Sequence, residues 1–363
     1  MQNQNLEENL TMSKKPLRAV EALQEAQKIA FAPYIFQASI SLRKLGILNY
    51  IFNCKDGATL EEVAKGTSVS EYGVGVLLEI AESSDIVSLD ENNKYELTKT
   101  GYFLTFDKTV NVNINFNNDI CYKGLFHLND SIVNGKAEGL KELGNWPTIY
   151  EGLSKLTPEQ NKSWFEFDHH YSDYVFNDAL EVVFKRNPKR IFDVGANTGK
   201  FAISCCNYNE HVNVTMVDLP GQLNVALDNA KKNGFENRIE GYEIDWLSEN
   251  PQIPTGVDII WMSQFLDCFS KDEIVKILSA CANSMNEDTE LFIMETFTDR
   301  QKFDNAKFIL EATSLYFTAM ANGNSKMYKA TEFLDLIDKA GLYLVEDINQ
   351  IGENHTILVC KKK

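Results

Sequence analysis

The residues with the clearest chemical potential form a glycine turn between an apolar strand and a helix. Residues 191–201 read IFDVGANTGKF, so Gly195 and Gly199 flank a bend directly after the strand. Such a bend lets a ligand approach backbone amides at the carboxyl edge of a sheet. The spacing is neither the G-x-G-x-x-G of dinucleotide enzymes nor that of a phosphate loop, which ends in G-K-[ST]. The turn therefore needs support from other residues before it indicates a nucleoside site.

Two acidic residues follow the next two predicted strands and supply that support. Asp218 is the acid of the string VDLP (residues 217–220), at the place where α/β nucleoside binders hold a ribose diol, and a carboxylate accepts from both hydroxyls. Asp245 and Trp246 follow the third strand and offer an acceptor for an exocyclic amine and an aromatic face for a purine. Alone, each acid is as well explained by a strand-end cap or a solvated turn. Together with the turn they predict a nucleoside site.

From residue 190 onward the chain alternates apolar strand patterns with helical patterns. Strands in such an alternation are joined by crossover helices, which makes the sheet parallel. The pattern predicts an α/β, doubly wound, Rossmann-like sheet, and two late strand patterns predict an antiparallel edge. The predicted strands are 190–194, 212–217, 239–244, 257–262, 291–295, 343–348 and 355–360.

The first hundred residues predict helices followed by a small hairpin, which is the order of a winged helix. Apolar spacing predicts a helix over residues 22–45, with Gly46 just beyond its end. Two capping-box patterns then open shorter helices. The capping pairs are Thr59 with Glu62 and Ser68 with Glu71, and the hairpin strands are 86–89 and 94–97.

Charge argues against DNA binding, the function that a winged helix first suggests. Between residues 59 and 85 the only basic residue is Lys65, against six acidic ones. The whole chain has 52 acidic and 35 basic side chains and a formal charge of −17, which repels phosphate backbones and anionic lipids. We therefore expect no nucleic acid and no membrane as partners, and a structural or dimerising role for the first domain.

The cysteines and the amino-terminal string indicate where in the cell the protein is located and whether it binds a metal. The 363 residues include seven cysteines without a C-x-x-C pair, and the histidines form no H-x-x-x-H pair. We expect reduced thiols in a cytoplasmic protein, and no metal. The string MQNQNLEENLTMSKKPL carries acids where a secretory signal is apolar, and no run of roughly 18 apolar residues occurs.

Over nearly its whole length the chain resembles the class I S-adenosylmethionine-dependent methyltransferases, and among them the O-methyltransferases of the plant caffeate type and of bacterial antibiotic tailoring. The resemblance is carried by the winged-helix pattern, the D-V-G-x-x-x-G turn, the two strand-end acids and a late M-A-N-G segment. It implies S-adenosylmethionine as cofactor, a small-molecule acceptor and a homodimer formed through the N-terminal domain. The cofactor residues it implies are Asp193, Gly195, Ala196, Asn197, Gly199, Asp218, Leu219, Asp245, Trp246 and Ser263.

The catalytic positions of that family are only partly retained. Family members place a histidine base before a helix that starts S-D-E, and here Asp267 occupies that position. Glu295 matches a supporting acid, whereas the other supporting acid is replaced by Met327. Asp267 is either the base or a residue that orients a polar substrate. If Asp267 is not the base, His170 is the candidate for a base at a different position in the chain.

Acceptor contacts are predicted at His169, Tyr316, Met320 and Asn322, although an ordinary core helix explains the Tyr316 and Met320 pattern equally well.

These patterns predict a winged-helix-like dimerisation domain over residues 1–110, a helical connector and pocket wall over 111–184, and a cofactor-binding methyltransferase domain over 185–363. The predicted function is S-adenosylmethionine-dependent methyl transfer to a small molecule, with oxygen as the favoured atom. The alternative, suggested by the altered catalytic positions, is a cofactor-binding or scaffolding dimer without transfer activity.

Overall fold

The computed structural model describes residues 16–363 and divides the chain into two compact units, which meet between Asn115 and Phe116. Most of the N-terminal string MQNQNLEENLTMSKKPL, whose acids predict that it is not a secretory signal, lies outside the described residues. Within residues 16–363, no helix is both long enough and apolar enough to cross a membrane.

The first unit is mostly helical and carries one antiparallel hairpin. Its apolar core includes Leu42, Ile51 and Leu78, all nearly inaccessible to solvent. The predicted order of helix, helix and hairpin is confirmed. The elements are α1 (Ala19–Ala30), α2 (Ala32–Lys44), α3 (Ile47–Asn53), α4 (Leu60–Thr67), α5 (Glu71–Ser83), β1 (Val87–Leu89), β2 (Tyr95–Leu97), α6 (Lys99–Phe106) and α7 (Lys108–Phe116).

Two details of this unit differ from the sequence prediction. The helix predicted over residues 22–45 is broken at Phe31, because Pro33 in the first turn of α2 has no N–H to continue the ladder. The cap of α5 is Ser70, which accepts from the N–H of Gly73, and not Ser68. Ser68 instead ends α4 in a left-handed conformation with φ of 58°. The capping box of Thr59 and Glu62 is confirmed.

The second unit is built on a seven-stranded sheet of order β5-β4-β3-β6-β7-β9-β8. The first five strands are parallel and β8 and β9 form the antiparallel edge, as predicted. Apolar side chains on both faces explain the near-continuous burial of the central strands. The strands are β3 (Arg190–Val194), β4 (Asn213–Asp218), β5 (Ile239–Glu243), β6 (Ile259–Ser263), β7 (Glu290–Glu295), β8 (Leu342–Ile351) and β9 (His355–Lys362).

Helices cover both faces of this sheet and form an additional helical region in front of it. One cluster of buried residues packs α14 and α16 on one face, and a second packs α11, α12 and α13 on the other. A third cluster joins residues 116–167 to residues 310–327. The helices are α8 (Leu128–Asn134), α9 (Ile149–Gly152), α10 (Pro158–Ser172), α11 (Phe176–Phe184), α12 (Lys200–Tyr208), α13 (Pro220–Lys232), α14 (Lys271–Ser284), α15 (Asp304–Tyr316) and α16 (Ala330–Lys339).

Short turns of helix connect these elements at the places where the site forms. A 3-10 turn, Leu266–Cys268, links β6 to α14, and π-helical turns occupy Asn117–Cys121 and Phe317–Ala321. The remaining 3-10 turns are Gly124–His127, Glu138–Glu142, Leu153–Lys155 and Asp173–Val175.

Candidate active site

The glycine turn lies at the carboxyl end of the central strand β3. Gly195 and Gly199 have φ of +74° and +77°, a region that residues with a Cβ rarely adopt. The N–H of Gly195 donates to the carbonyl of Val217 at 3.0 Å, which ties the turn to β4. A Cβ on Gly195 would approach the ring of Phe265 to 2.4 Å, so this position also requires glycine for space.

Asp218 connects the second strand end to this turn. Its Oδ2 accepts from the backbone N–H of Asn197 at 2.9 Å and its Oδ1 from that of Leu219 at 2.7 Å. Burial raises the pKa of Asp218 to about 6, against the effect of these two hydrogen bonds. Since each carboxylate oxygen has two acceptor sites, both oxygens keep capacity for a diol.

Several buried polar atoms beside the turn have no partner among the described residues. Asp193, which is 3% exposed, leaves Oδ2 unpaired, and Asn197 Oδ1 and Ser263 Oγ are also unpaired. Burial, followed by the charge of Asp218, raises the pKa of Asp193 to about 7. Buried polar atoms without partners are uncommon in native proteins and call for a ligand or water. Ala196 completes this wall and is buried.

The third strand end carries one exposed acid and one buried aromatic side chain. Asp245 is exposed, and its Oδ1 accepts from the N–H of Leu247 at 2.9 Å, so it caps a turn as the alternative reading supposed. Trp246 is 4% exposed and belongs to the core, with its ring centroid 6.2 Å from that of Phe265 and its Nε1 unpaired. Leu219, at the start of α13, is 36% exposed.

A cavity lies next to this strand edge, with about 720 Å³ between its walls when the part open to solvent is counted. Its walls come from α10, α15 and the loops that follow β6 and β7. Asp168 and Asp267 supply the only carboxyl groups among its lining residues. Seven aromatic side chains make up much of the wall, namely Phe116, Tyr150, Trp164, Phe167, Tyr171, Tyr316 and Phe317.

Asp267 lines this cavity on the 3-10 turn after β6. Its side chain is 7% exposed, and its Oδ1 lies 3.5 Å from Cys268 Sγ. Burial raises the pKa of Asp267 to about 6, which brings this carboxyl group closer to the range of a histidine. Directly after the turn, the capping box of Ser270 and Glu273 begins α14.

Glu295 supports the turn from the end of β7. Its Oε1 accepts from the N–H groups of Phe265 at 3.2 Å and Leu266 at 3.0 Å. Burial, and then the charge of Asp267, raise the pKa of Glu295 well above its usual range. The side chain therefore fixes the loop that carries Asp267, and does not itself line the cavity.

Asp168 is a cavity residue that sequence reasoning missed. It lies on α10, and its Oδ2 accepts from Asn197 Nδ2 at 2.8 Å, which links the cavity wall to the glycine turn. Burial, and then the charge of Asp267, raise the pKa of Asp168 to about 7. The available signal was an acid within the aromatic string WFEFDHHY, directly before His169 and His170.

Neither of those histidines is among the residues that line the described cavity. His169 Nε2 lies 3.5 Å from Thr198 Oγ1, and burial lowers the pKa of this imidazole. His170 is half-buried, with its ring centroid 5.3 Å from that of Tyr171.

The other three acceptor-contact candidates have different positions. Tyr316 lines the cavity, and its hydroxyl accepts from Trp164 Nε1 at 2.9 Å. Met320 is fully buried in the core, where it packs so closely on Gly124 that a Cβ there would clash. Asn322 donates from Nδ2 to the carbonyl of Cys268 at 2.6 Å, and so braces the loop of Asp267.

Within residues 16–363, no group of three or more histidine, cysteine, aspartate or glutamate side chains is arranged to hold a metal ion.

A mixed, Rossmann-like sheet with a glycine bend and acids at the ends of its parallel strands, next to an aromatic cavity, is the architecture of an S-adenosylmethionine-dependent methyltransferase. The chain belongs to the O-methyltransferase domain family, whose model matches residues 126–343. A Dimerisation2-like domain matches residues 24–95. The protein is therefore an enzyme that uses S-adenosylmethionine to methylate a small molecule.

Individual relatives are distant. L-tyrosine C(3)-methyltransferase of Streptomyces lavendulae is 20% identical over 321 residues, which cover 86% of this chain and 85% of that protein. The apo methyltransferase SibL has a TM-score of 0.71 at 18% identity, covering 94% of this chain and 99% of its own. The O-methyltransferase NcsB1, solved with S-adenosylmethionine and 2-hydroxy-5-methyl naphthoic acid, has a TM-score of 0.67 at 17% identity, covering 90% of this chain and 96% of its own. At these identities the structures establish the common fold.

Proposed function

We propose that the strand-end residues hold S-adenosylmethionine and that the aromatic cavity holds the acceptor, which is methylated on oxygen. The observation that carries this proposal is the hydrogen bond from the Asn197 N–H to Asp218, because it joins the turn to the acid expected to receive a ribose. When bound, S-adenosylmethionine supplies a methyl carbon activated by its sulfonium group.

The residues beside the turn fit such a ligand. Asp193 Oδ2, Asn197 Oδ1 and Ser263 Oγ are buried without partners in residues 16–363 and can accept from an ammonium or hydroxyl group. Asp218 keeps acceptor capacity for the ribose. Trp246 and Asp245 remain proposed adenine neighbours, with Gly195, Ala196, Gly199 and Leu219 shaping the wall.

Asp267 is the proposed proton acceptor for the hydroxyl of the substrate. It is buried, lines the cavity and has a pKa raised towards neutrality, so its carboxylate is a better base than an exposed aspartate. Glu295 is a positioning residue, since it binds the two N–H groups that precede Asp267. His170 is the alternative base, although it is not among the residues that line the cavity.

The proposal is tested by binding and transfer measured separately. Calorimetry with S-adenosylmethionine is expected to register heat, and S-adenosylhomocysteine is expected to raise the unfolding midpoint, because it binds the native state. Transfer of a labelled methyl group to members of a phenol panel is the second readout. Absence of binding would remove the proposal, and binding without transfer to any acceptor would favour the scaffolding alternative.

A homodimer formed through the N-terminal unit is proposed as well. Helix α1 buries none of its residues in the described chain, and Val20, Leu23 and Ile29 are each more than 60% exposed. Apolar groups left in water on this scale mark an interaction surface. The match to a Dimerisation2-like domain over residues 24–95 supports a second copy of the chain as the occupant.

Charge introduced on this surface is expected to dissociate the dimer. The double substitution Val20→Glu and Leu23→Glu should shift the sedimentation coefficient from dimer to monomer, because each buried carboxylate would lack a partner. Asn92→Glu adds the same kind of charge at an exposed position in the hairpin turn, away from helix α1, and is the control. A dimer that survives the double substitution would place the subunit contact elsewhere.

Charge and thiols support two further parts of the proposal. The formal charge of −17 argues against a nucleic acid partner. All seven cysteines are free, which agrees with a reducing compartment such as the cytoplasm.

A further inference from the structure

The acceptor cavity contains negative charge without a matching cation in its walls. Its lining residues, all within residues 116–327, include Asp168 and Asp267 but no lysine, arginine or histidine. The nearby Lys200 ammonium, which does not line the cavity, forms an ion pair with Asp173, and its charge lowers the pKa of Asp168 less than burial and the charge of Asp267 raise it. A carboxylate shielded from water without an opposite charge in the cavity wall is unfavourable, so a ligand with positive charge is the natural complement.

Two more side chains add hydrogen-bond acceptors to the same wall. Thr296 is 5% exposed, and its Oγ1 has no partner among the described residues. Gln264, held at φ of +46°, lines the cavity with an unpaired Oε1. Together with the two carboxyl groups, these oxygens favour a ligand that is rich in donors, and a protonated amine offers up to three.

Aromatic rings supply the remaining recognition. Phe116 and Phe167 stack with ring centroids 3.9 Å apart, and Tyr171 lies 5.1 Å from Phe167. Such walls bind an aromatic acceptor by apolar contact, and their faces also attract a cation.

We propose that the acceptor is an aromatic hydroxyl compound carrying a protonated amine, and that Asp168 is its counter-ion. This inference rests on the proposed function, since it assigns the substrate class of that cavity. The two acids have different roles. Asp168 pairs with the amine, and Asp267 receives the proton of the hydroxyl group. Burial and the charge of Asp267 raise the pKa of Asp168 to about 7, which agrees with a carboxylate that has no cation beside it in the cavity wall.

Acceptors with a carboxylate are excluded by the same charges. A carboxylate placed in this cavity would face two acids and no cation. The naphthoic acid bound by NcsB1 is of this excluded kind, so the two proteins are expected to differ in acceptor class.

Binding of three phenols that share a ring tests the inference without any methyl transfer. Calorimetry on the full chain at pH 8 compares tyramine, 4-propylphenol and 3-(4-hydroxyphenyl)propionate, which are cationic, neutral and anionic. Tyramine is expected to bind at least roughly tenfold more tightly than the neutral phenol, and the anion most weakly. Asp168→Asn is expected to reduce the preference for tyramine by roughly fivefold or more.

Glu166→Gln is the matched control, because it removes a carboxylate from the same helix at an exposed position beside Lys162. It should leave the preference unchanged, and thermal unfolding checks that both variants fold. Equal binding of the anion, a preference that survives Asp168→Asn, or no tyramine binding up to about 5 mM would each overturn the inference.

Cofactor binding separates this outcome from the proposed function. If S-adenosylhomocysteine binds and the tyramine preference is absent, the acceptor class is wrong and the function stands. If tyramine is preferred and S-adenosylhomocysteine does not bind, the proposed function fails while the amine site remains.

Discussion

Asp267→Asn is expected to reduce methyl transfer by roughly 100-fold to 10,000-fold, which is the usual contribution of a general base. Asparagine keeps the shape of the side chain and can still accept from Cys268 Sγ, but it cannot take up a proton. The affinity for S-adenosylhomocysteine should stay within about twofold, since this residue lines the acceptor cavity. Single-turnover transfer and calorimetry measure the two effects.

The pH profile identifies the role of Asp267 more sharply than the rate alone. Burial raises the pKa of Asp267 to about 6, so the carboxylate is protonated as pH falls through that value and transfer declines. Asp168, Asp193 and Asp218 also have raised pKa values of about 6 to 7, so the contribution of Asp267 is the difference between wild type and variant. The residual activity of Asp267→Asn should lack this part of the acid limb.

Asp272→Asn is the control, because Asp272 is the exposed acid on the neighbouring helix α14. Full activity of Asp267→Asn would show that Asp267 is not the base, and His170 would then be the remaining candidate.

Asp218→Ala is expected to weaken binding of S-adenosylmethionine by about 1–3 kcal/mol, or about 5-fold to 150-fold. The substitution removes the proposed ribose acceptor and also the partner of the Asn197 N–H. The free energy of unfolding at pH 7.5 should change by less than about 1 kcal/mol, because loss of two hydrogen bonds is offset by removal of a buried charge. Calorimetry gives the affinity and urea unfolding gives the stability.

Asp288→Asn, at an exposed position in the loop before β7, serves as the reference for this experiment. Asp218→Asn should lie between wild type and Asp218→Ala, because an amide keeps one oxygen acceptor. An unchanged affinity in Asp218→Ala would mean that the ribose is held by other residues.

Local patterns in the chain determined the backbone around the site. The strand β3, the bend at Gly195 and the capping box at Ser270 follow from apolar alternation, from the need for positive φ and from hydrogen bonds between near neighbours. The parallel sheet then follows from the alternation of strands with helices, and it brings Asp193 and Asp218 to one edge. Sequence was sufficient here because each of these features depends on short segments.

The burial of the site residues and the charges around them were determined only by the tertiary structure. Asp168 and Asp267 face one cavity although they belong to different segments of the chain, and their raised pKa values arise from burial that no local pattern encodes. The structure also shows that Asp245 caps a turn and that Met320 lies in the core. A sequence fixes which side chains a strand end or helix carries, but long-range packing decides which of them share a cavity, lose water and interact as charges.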